Sequence, residues 1–231
     1  MRARPAFALD GDAMTLREAL CLESFDAQFK ENFERLLTWR RDVRSFRSDP
    51  VPDRTLEHLL SLACLAPSVG LSQPWRFVTV RDPARRTAIR TNFLAANEAA
   101  LRSYDGDKAS KYARLKLSGL DEAPVHLAVF AEPEPEEGSG LGRQSMPETV
   151  VYSVVTAIHT LWLAARAEGI GMGWVSILDP SQLAATLDVP EHWLFLGYFC
   201  LGYPKQEADS PELERCGWER RTSLDAVLIR R

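Results

Sequence analysis

Cysteine is scarce in this sequence, and no two cysteines have the spacing of a metal-ligand pair. Zinc sites and the disulfide frameworks of small domains need cysteines at short, regular intervals, so neither is indicated. The histidines form no H-E-x-x-H or similar ligand pattern, and we therefore expect no bound metal. The residues concerned are Cys21, Cys64, Cys200 and Cys216, and His58, His126, His159 and His192.

The sequence also lacks a strong charge of one sign, a signal peptide and an uninterrupted hydrophobic run. With 28 basic and 32 acidic residues, its formal net charge of -4 argues against a surface that binds nucleic acid. Acidic residues from Asp10 to Glu23 interrupt the amino-terminal segment, which is untypical of a secretory signal. The longest apolar stretch, Val150 to Ala167, contains Arg166 and predicts a buried core helix, not a membrane span. We expect a cytoplasmic protein with no nucleic-acid or membrane partner.

Two glycine-containing motifs lack the context of the well-known motifs that they partly match. The segment 70–74 has no second glycine of a G-x-S-x-G nucleophile elbow and follows no predicted strand, which argues against a serine hydrolase. The glycines of segment 169–173 follow a predicted helix and open a strand, which is the reverse of a dinucleotide-binding turn.

The periodicity of the chain predicts an α+β fold with a central mixed β-sheet flanked by helices. A length of 231 residues with 45% hydrophobic content suits one domain, which we place at residues 25–231 after a poorly defined extension at 1–24. Helices are predicted from Phe25 to the basic segment at 40–47, after Pro52, from Pro83 to Leu117, and from Pro147 to Gly169, with a short one after Asp179. Strands are predicted at 76–80, 124–131, 171–178 and 193–201, with one more at 224–229.

A cluster of arginines at the end of the first predicted helix is the first candidate site. Arg40, Arg41 and Arg44 place three guanidinium groups within five residues, which suits a phosphate because arginine supplies planar, charge-assisted donors. The alternative is a solvated basic edge paired with Glu31 and Glu34. Asp42, an acid among arginines, is stabilised as a carboxylate that can hold a proton donor or orient a polar ligand.

Three further segments are candidates for ligand contacts. The loop around Gly70 can bring its backbone and hydroxyl groups close to a planar ligand, although an ordinary turn from helix to strand has the same composition. Ser176, at the end of a predicted strand, can offer its hydroxyl or amide to a ligand or simply cap the strand. Glu219 to Arg221 would add a second phosphate contact if the fold brings this segment to Arg40.

Taken in order, several motifs resemble the nitroreductase superfamily over about residues 25 to 231. They are R-R-D-V-R, A-P-S-V-G-L-S-Q-P-W-R-F, G-I-G-M-G-W-V-S, and L-G-Y-P followed by W-E-R-R. Ordinary members carry serine or threonine where this chain has Asp42, and asparagine is common where it has Leu71. These two departures, together with G-R-Q-S-M-P-E-T at residues 142–149, are similar to the branch that fragments flavin, the 5,6-dimethylbenzimidazole synthases.

The resemblance implies a nitroreductase-like homodimer with FMN at each subunit interface and a helical lid over the flavin, which we expect at Pro83 to Leu117. It assigns catalytic roles to Asp42 and Ser176. It also implies FMN contacts, with the arginines on the phosphate and flavin edge and the residues of the glycine loop against the ring. The FMN-binding residues implied are Arg40, Arg41, Asp42, Val43, Arg44, Ser68, Gly70, Ser72, Ser176 and Arg221.

The reaction implied is the fragmentation of reduced FMN by O2 to 5,6-dimethylbenzimidazole, the lower ligand of cobalamin, and erythrose 4-phosphate. FMN would then be a substrate, delivered in reduced form by a separate flavin reductase. Two alternatives remain at this point. One is an NAD(P)H-dependent nitroreductase or quinone reductase on the same fold, and the other is a non-catalytic flavin-binding protein.

Overall fold

The computed structural model describes residues 25–231. The predicted extension at 1–24, including Cys21, lies outside the described residues, and the single domain at 25–231 stays a prediction. The chain divides into two compact units between Arg35 and Leu36, within helix α1, which spans Ala27–Trp39. In the first unit, Asp26 accepts a hydrogen bond from the Phe29 amide at 2.7 Å and so begins the helix.

The second unit, from Leu36 onward, contains a four-stranded sheet with the order β1-β2-β4-β3. All three ladders are antiparallel. The predicted mixed sheet is therefore mixed only at an isolated parallel bridge between Asp42 and Met172. The strands are β1 (Trp75–Thr79), β2 (Val125–Ala131), β3 (Gly171–Val175) and β4 (Leu194–Gly202).

Helices cover both faces of this sheet. Leu127 and Val129 of β2 pack on one face against the central helix, whereas Ala128 and Phe130 point to the opposite face. Burial on both faces explains why β2 is almost continuously apolar. The helices after α1 are α2 (Asp53–Ala63), α3 (Pro83–Arg102), α4 (Gly106–Arg114), α5 (Thr149–Ala167), α6 (Pro180–Leu187), α7 (Glu212–Arg215) and α8 (Leu224–Val227).

Helix α5 is the predicted core helix. It is long and apolar enough to cross a membrane by composition alone, yet Val154, Ile158 and Leu161 on one side of it are fully buried against the sheet. Gly169 follows its end with a φ of +70°, in the left-handed conformation that glycine adopts most easily. The predicted start of α6 is also confirmed, because the Asp179 carboxylate accepts bonds from the amides of residues 181 and 182.

Two predictions about the periphery need correction. The segment 224–229 is not a strand; it contains α8, and within the described residues it pairs with no strand. Its apolar side chains at Leu224 and Val227 are exposed. The charged region from Pro83 to Leu117 is two helices, of which the first is partly core, because Ile89 and Phe93 are buried under the sheet. Only the end of α3 and helix α4 therefore extend beyond the core.

Candidate functional site

The arginine-rich segment lies along the exposed edge of the sheet. Helix α1 ends at Trp39, and the next residues run beside edge strand β3, where the Val43 amide donates to the Met172 carbonyl at 3.1 Å. A side chain at Gly173 would come within 2.1 Å of the Val43 carbonyl, so only glycine permits this close approach. The glycines at 171 and 173 thus make room for a neighbouring backbone, and they form no phosphate-binding turn.

Asp42 connects this segment to β3 through both carboxylate oxygens. Its Oδ1 accepts a bond from the Trp174 amide at 2.8 Å, and its Oδ2 accepts bonds from Nε and Nη2 of Arg44 at 2.9 and 2.6 Å. The first contact satisfies an amide at the sheet edge, and the second neutralises a cation. Asp42 therefore has a structural role in addition to any catalytic one.

The arginines of this segment and Arg221 meet in one cavity of about 230 Å³. Its wall opposite the strand edge comes from the carboxyl-terminal segment, which contributes Glu212 and Leu213. The charged residues that line it are Arg40, Arg41, Arg44, Arg221, Asp42 and Glu212. Four guanidinium groups face two carboxylates, so the cavity, which we call the arginine cavity, carries an excess of positive charge that suits a phosphate.

Burial and mutual repulsion act on these guanidinium groups. Desolvation lowers the pKa of Arg40, Asp42 opposes that shift, and Arg221 lowers the pKa further. Burial likewise lowers the pKa of Arg41, with Arg221 and then Arg40 adding to the effect. An anion in the cavity would relieve this repulsion, since it would stabilise the charged form of each group.

The four arginines differ in how free they are to contact a ligand. Arg40 stacks on the Trp162 ring at 4.8 Å, and within residues 36–231 neither Arg40 nor Arg221 forms a salt bridge. Arg44 is held by Asp42 and by the carbonyl of Lys116 at 3.0 Å. Arg40 and Arg221 are therefore the guanidinium groups with the most capacity for an added anion.

Arg41 is held differently, by backbone carbonyl groups. Its terminal nitrogens donate to the carbonyls of Thr38, Arg40 and Asp209. Its Nε is buried and has no hydrogen-bond partner within the described residues. This donor fits a ligand acceptor that enters the cavity, because a buried N–H without a partner is energetically costly.

Val43, also predicted to contact FMN, packs its side chain over Gly171 and lines a neighbouring cavity of about 130 Å³. Ser176, the second predicted catalytic residue, is exposed and immediately follows β3. Because Asp42 contacts Trp174 of β3, Asp42 and Ser176 lie near the same end of that strand. The fold therefore brings Asp42, Ser176 and the arginine cavity to one edge of the sheet.

The predicted glycine loop does not reach the arginine cavity of its own chain. Gly70 and Ser72 lie against the turn at 138–141, and an added side chain at Gly70 would come within 2.9 Å of the Leu141 carbonyl. The Ser68 hydroxyl stays within the loop, where it accepts a bond from the Gln73 amide at 3.1 Å. Ser72 is only 2% exposed, and its hydroxyl has no hydrogen-bond partner within residues 25–231. Within one chain, the two predicted parts of the flavin site remain apart.

The backbone of this loop is strained. Leu71 and Gln73 have φ values of +59° and +45°, in the left-handed region that non-glycine residues rarely adopt. Strained backbone of this kind is concentrated at ligand sites, because it persists only where the surroundings hold it. The strain marks the loop as a functional candidate independently of its sequence motif.

The sequence interpretation missed two residues of the site. Trp162 carries Arg40 on its ring and donates from Nε1 to the Arg41 carbonyl at 3.1 Å. The one feature of the sequence that could have pointed to Trp162 was its indole N–H, a polar group within a largely apolar helix. Glu212 carried no signal, since only the tertiary fold places it in the arginine cavity.

Comparison with known proteins decides the family. The nitroreductase family profile matches residues 37–203. The chain belongs to the nitroreductase family. Among its relatives in that family is the 5,6-dimethylbenzimidazole synthase of Rhodospirillum rubrum, which is 55% identical over 85% of this chain and 93% of that protein. The protein of the same name from Rhodobacter capsulatus is 46% identical over 85% of this chain and 95% of its own length.

A solved nitroreductase-fold structure agrees with this assignment. Iodotyrosine deiodinase, crystallised with FMN and 3-iodo-L-tyrosine, superposes with a TM-score of 0.63 at 25% identity, covering 76% of this chain and 91% of that one. The predicted α+β, nitroreductase-like fold and the resemblance to the 5,6-dimethylbenzimidazole synthases are confirmed. No cluster of potential metal ligands occurs within residues 25–231.

Proposed function

We propose that this protein is a 5,6-dimethylbenzimidazole synthase that consumes reduced FMN and O2, releases erythrose 4-phosphate, and supplies the lower ligand of cobalamin. The relatives at 46–55% identity carry this name over nearly their whole length. The arginine cavity is the observation that supports the substrate, because its excess of guanidinium groups matches the phosphate of FMN. Reduced flavin supplies the electrons with which O2 reacts.

The residues of the chain act by binding and by positioning. Arg40 and Arg221 hold the phosphate, and the unpartnered Nε of Arg41 donates to it. This fixes the flavin ring along the edge of β3, beside Asp42 and Ser176. Asp42, whose Oδ2 pairs with Arg44 at 2.6 Å, accepts a proton at its oxygen atoms, while the Ser176 hydroxyl orients the ring.

A second copy of the chain completes the site in this proposal. The glycine loop and the adjoining turn expose large apolar side chains, with Leu71 at 71% and Leu141 at 73% exposure. Exposed apolar groups on a strained, well-packed loop fit a subunit interface. In the homodimer, the loop that contains Ser68, Gly70 and Ser72 of one subunit would lie against the flavin ring held by its partner's arginines.

The setting of the reaction follows from its chemistry. The flavin is consumed, so each turnover needs a new molecule of reduced FMN, which a separate flavin reductase supplies in the cytoplasm. The reaction also needs a closed site that admits O2 and excludes water. Helix α4 and the end of α3, which extend beyond the core, form the lid in this proposal.

The experiment that tests this function is a single turnover in air. The protein is loaded with FMN, reduced chemically without oxygen and exposed to air, and the products are separated by liquid chromatography with mass detection. We expect 5,6-dimethylbenzimidazole to appear as FMN disappears. Recovery of intact FMN would reject the proposal. Bleaching of the bound flavin by NADPH alone would then identify an NAD(P)H-dependent reductase. Absence of bleaching would identify a flavin-binding protein.

A further inference from the structure

Helix α4 and the residues just after it connect the arginine cavity to the carboxyl-terminal segment. On the strand side, the guanidinium group of Arg44 donates to the carbonyl of Lys116, which lies two residues after the helix ends. On the carboxyl-terminal side, the ammonium group of Lys111 donates to the Gly217 carbonyl at 3.2 Å. The segment from Lys111 to Lys116 therefore links Arg44, which lines the cavity, to the carboxyl-terminal segment that carries Arg221.

An aromatic cluster of Tyr104, Tyr112 and Trp218 strengthens the second contact. The ring of Trp218 meets Tyr104 edge-on at 5.5 Å and Tyr112 at 6.1 Å, and the two tyrosines lie 5.0 Å apart. Tyr112 is only 6% exposed, and its hydroxyl donates to Asn97 of helix α3 at 2.8 Å. The ammonium group of Lys108 lies 5.5 Å from the Trp218 ring. The cluster thus joins α3, α4 and the carboxyl-terminal segment.

The backbone of Trp218 is hydrogen-bonded to a residue of the cavity wall. Its amide donates at 2.8 Å to the carbonyl of Leu213, and Leu213 lines the arginine cavity. Arg221, which supplies a guanidinium group to the same cavity, follows three residues later. The indole side chain of Trp218 therefore lies in the aromatic cluster while its main chain holds the segment that carries Arg221.

We propose that Trp218 is a positioning residue that couples phosphate binding in the arginine cavity to the closure of helix α4. A phosphate draws Arg221 and its segment towards Arg40, and the indole carries that displacement to the aromatic cluster. By linkage, closure of the helix raises the affinity for phosphate by the same factor by which bound phosphate favours closure. The inference rests on the proposed flavin site and adds a role for a residue outside the reacting groups.

Two flavins that differ only in the phosphate provide the test. Hydrogen–deuterium exchange of the peptide at 106–114 is measured for the wild type, saturated with oxidised FMN or with riboflavin. We expect FMN to slow the exchange by about fivefold or more relative to riboflavin, the lower end of typical coupling between sites. The core helix peptide at 149–167 serves as the internal reference and should exchange equally with both.

Three variants separate coupling from a general loss of structure. Trp218→Leu should bind FMN yet abolish the difference between the two flavins at 106–114. Trp218→Phe should restore part of it, because an aromatic ring still packs on both tyrosines. Lys111→Met removes only the bond to Gly217 and should reduce the difference, which keeps the test valid if Trp218→Leu does not fold.

The outcomes distinguish this inference from the proposed function. Equal protection of 106–114 by FMN and riboflavin in the wild type would overturn the coupling, as would an unchanged difference in Trp218→Leu. Phosphate-dependent protection in a protein that returns FMN intact from air would support the coupling and reject the synthase activity. Failure of the wild type to bind either flavin would overturn the flavin site and the coupling together.

Discussion

Replacing Asp42 by asparagine separates its catalytic role from its structural one. The carboxylate accepts three hydrogen bonds, one from the Trp174 amide and two from Arg44, and its side chain is 30% exposed. An asparagine replaces one of the two oxygens by an NH2 group, which cannot accept a bond, so either Trp174 or Arg44 loses its acceptor. Loss of hydrogen bonds to a charged group costs about 1–3 kcal/mol, which lowers the Tm of a chain this long by roughly 2–12 °C.

The effect on catalysis should be much larger than the effect on stability. A residue that accepts a proton in the rate-limiting step contributes about 100- to 10,000-fold to the rate. In Asp42→Asn, we expect 5,6-dimethylbenzimidazole to form at least about 100-fold more slowly in the single-turnover assay, with the folded fraction at 25 °C unchanged. FMN binding should persist, because Arg40 and Arg221 are intact.

Asp49→Asn is the matched control. Asp49 pairs with Arg47 at 2.8 Å across the same two-residue spacing as Asp42 and Arg44, but both side chains are about half exposed. Exposed pairs contribute little, so neither the Tm nor the rate should change appreciably. A near-normal product rate in Asp42→Asn would refute the catalytic assignment and leave Asp42 as a cap on the sheet edge.

Three further changes test other parts of the structure. Arg221→Met should weaken FMN binding roughly tenfold in a fluorescence titration while riboflavin binding stays the same, and equal losses for both would contradict phosphate contact. Gly173→Ala places a methyl group within 2.1 Å of the Val43 carbonyl and should lower the free energy of unfolding by about 1–3 kcal/mol; an unchanged denaturation midpoint would contradict the close approach. Burial, with the nearby Arg86, lowers the pKa of His126 from 6.5 to about 4. As the pH falls, the histidine of the unfolded chain is protonated before the buried one, so the stability that neutral His126 contributes above pH 6.5 should be lost as the pH falls towards 4. If the free energy of unfolding of a His126→Gln variant depends on pH as steeply as that of the wild type, this prediction is contradicted.

The sequence determined the type and position of most elements by itself. The apolar spacing of α5, the glycine after its end and the Asp179 cap are local signals, because helix periodicity and capping depend on neighbouring residues. The order of its motifs also sufficed for the family resemblance. Local signals failed at 224–229, where an apolar tail resembles a strand but finds no sheet edge among the described residues.

Only the tertiary structure decided how the site is assembled. It brings Arg221 to Arg40, sets Glu212 and Trp162 beside them, and keeps the loop around Gly70 away from them within one chain. It also shows that Gly173 is needed because the backbone of Val43 lies against it. These contacts join residues that are distant along the chain, and spacing in a single sequence carries no information about which distant segments the packing of the sheet and helices brings together.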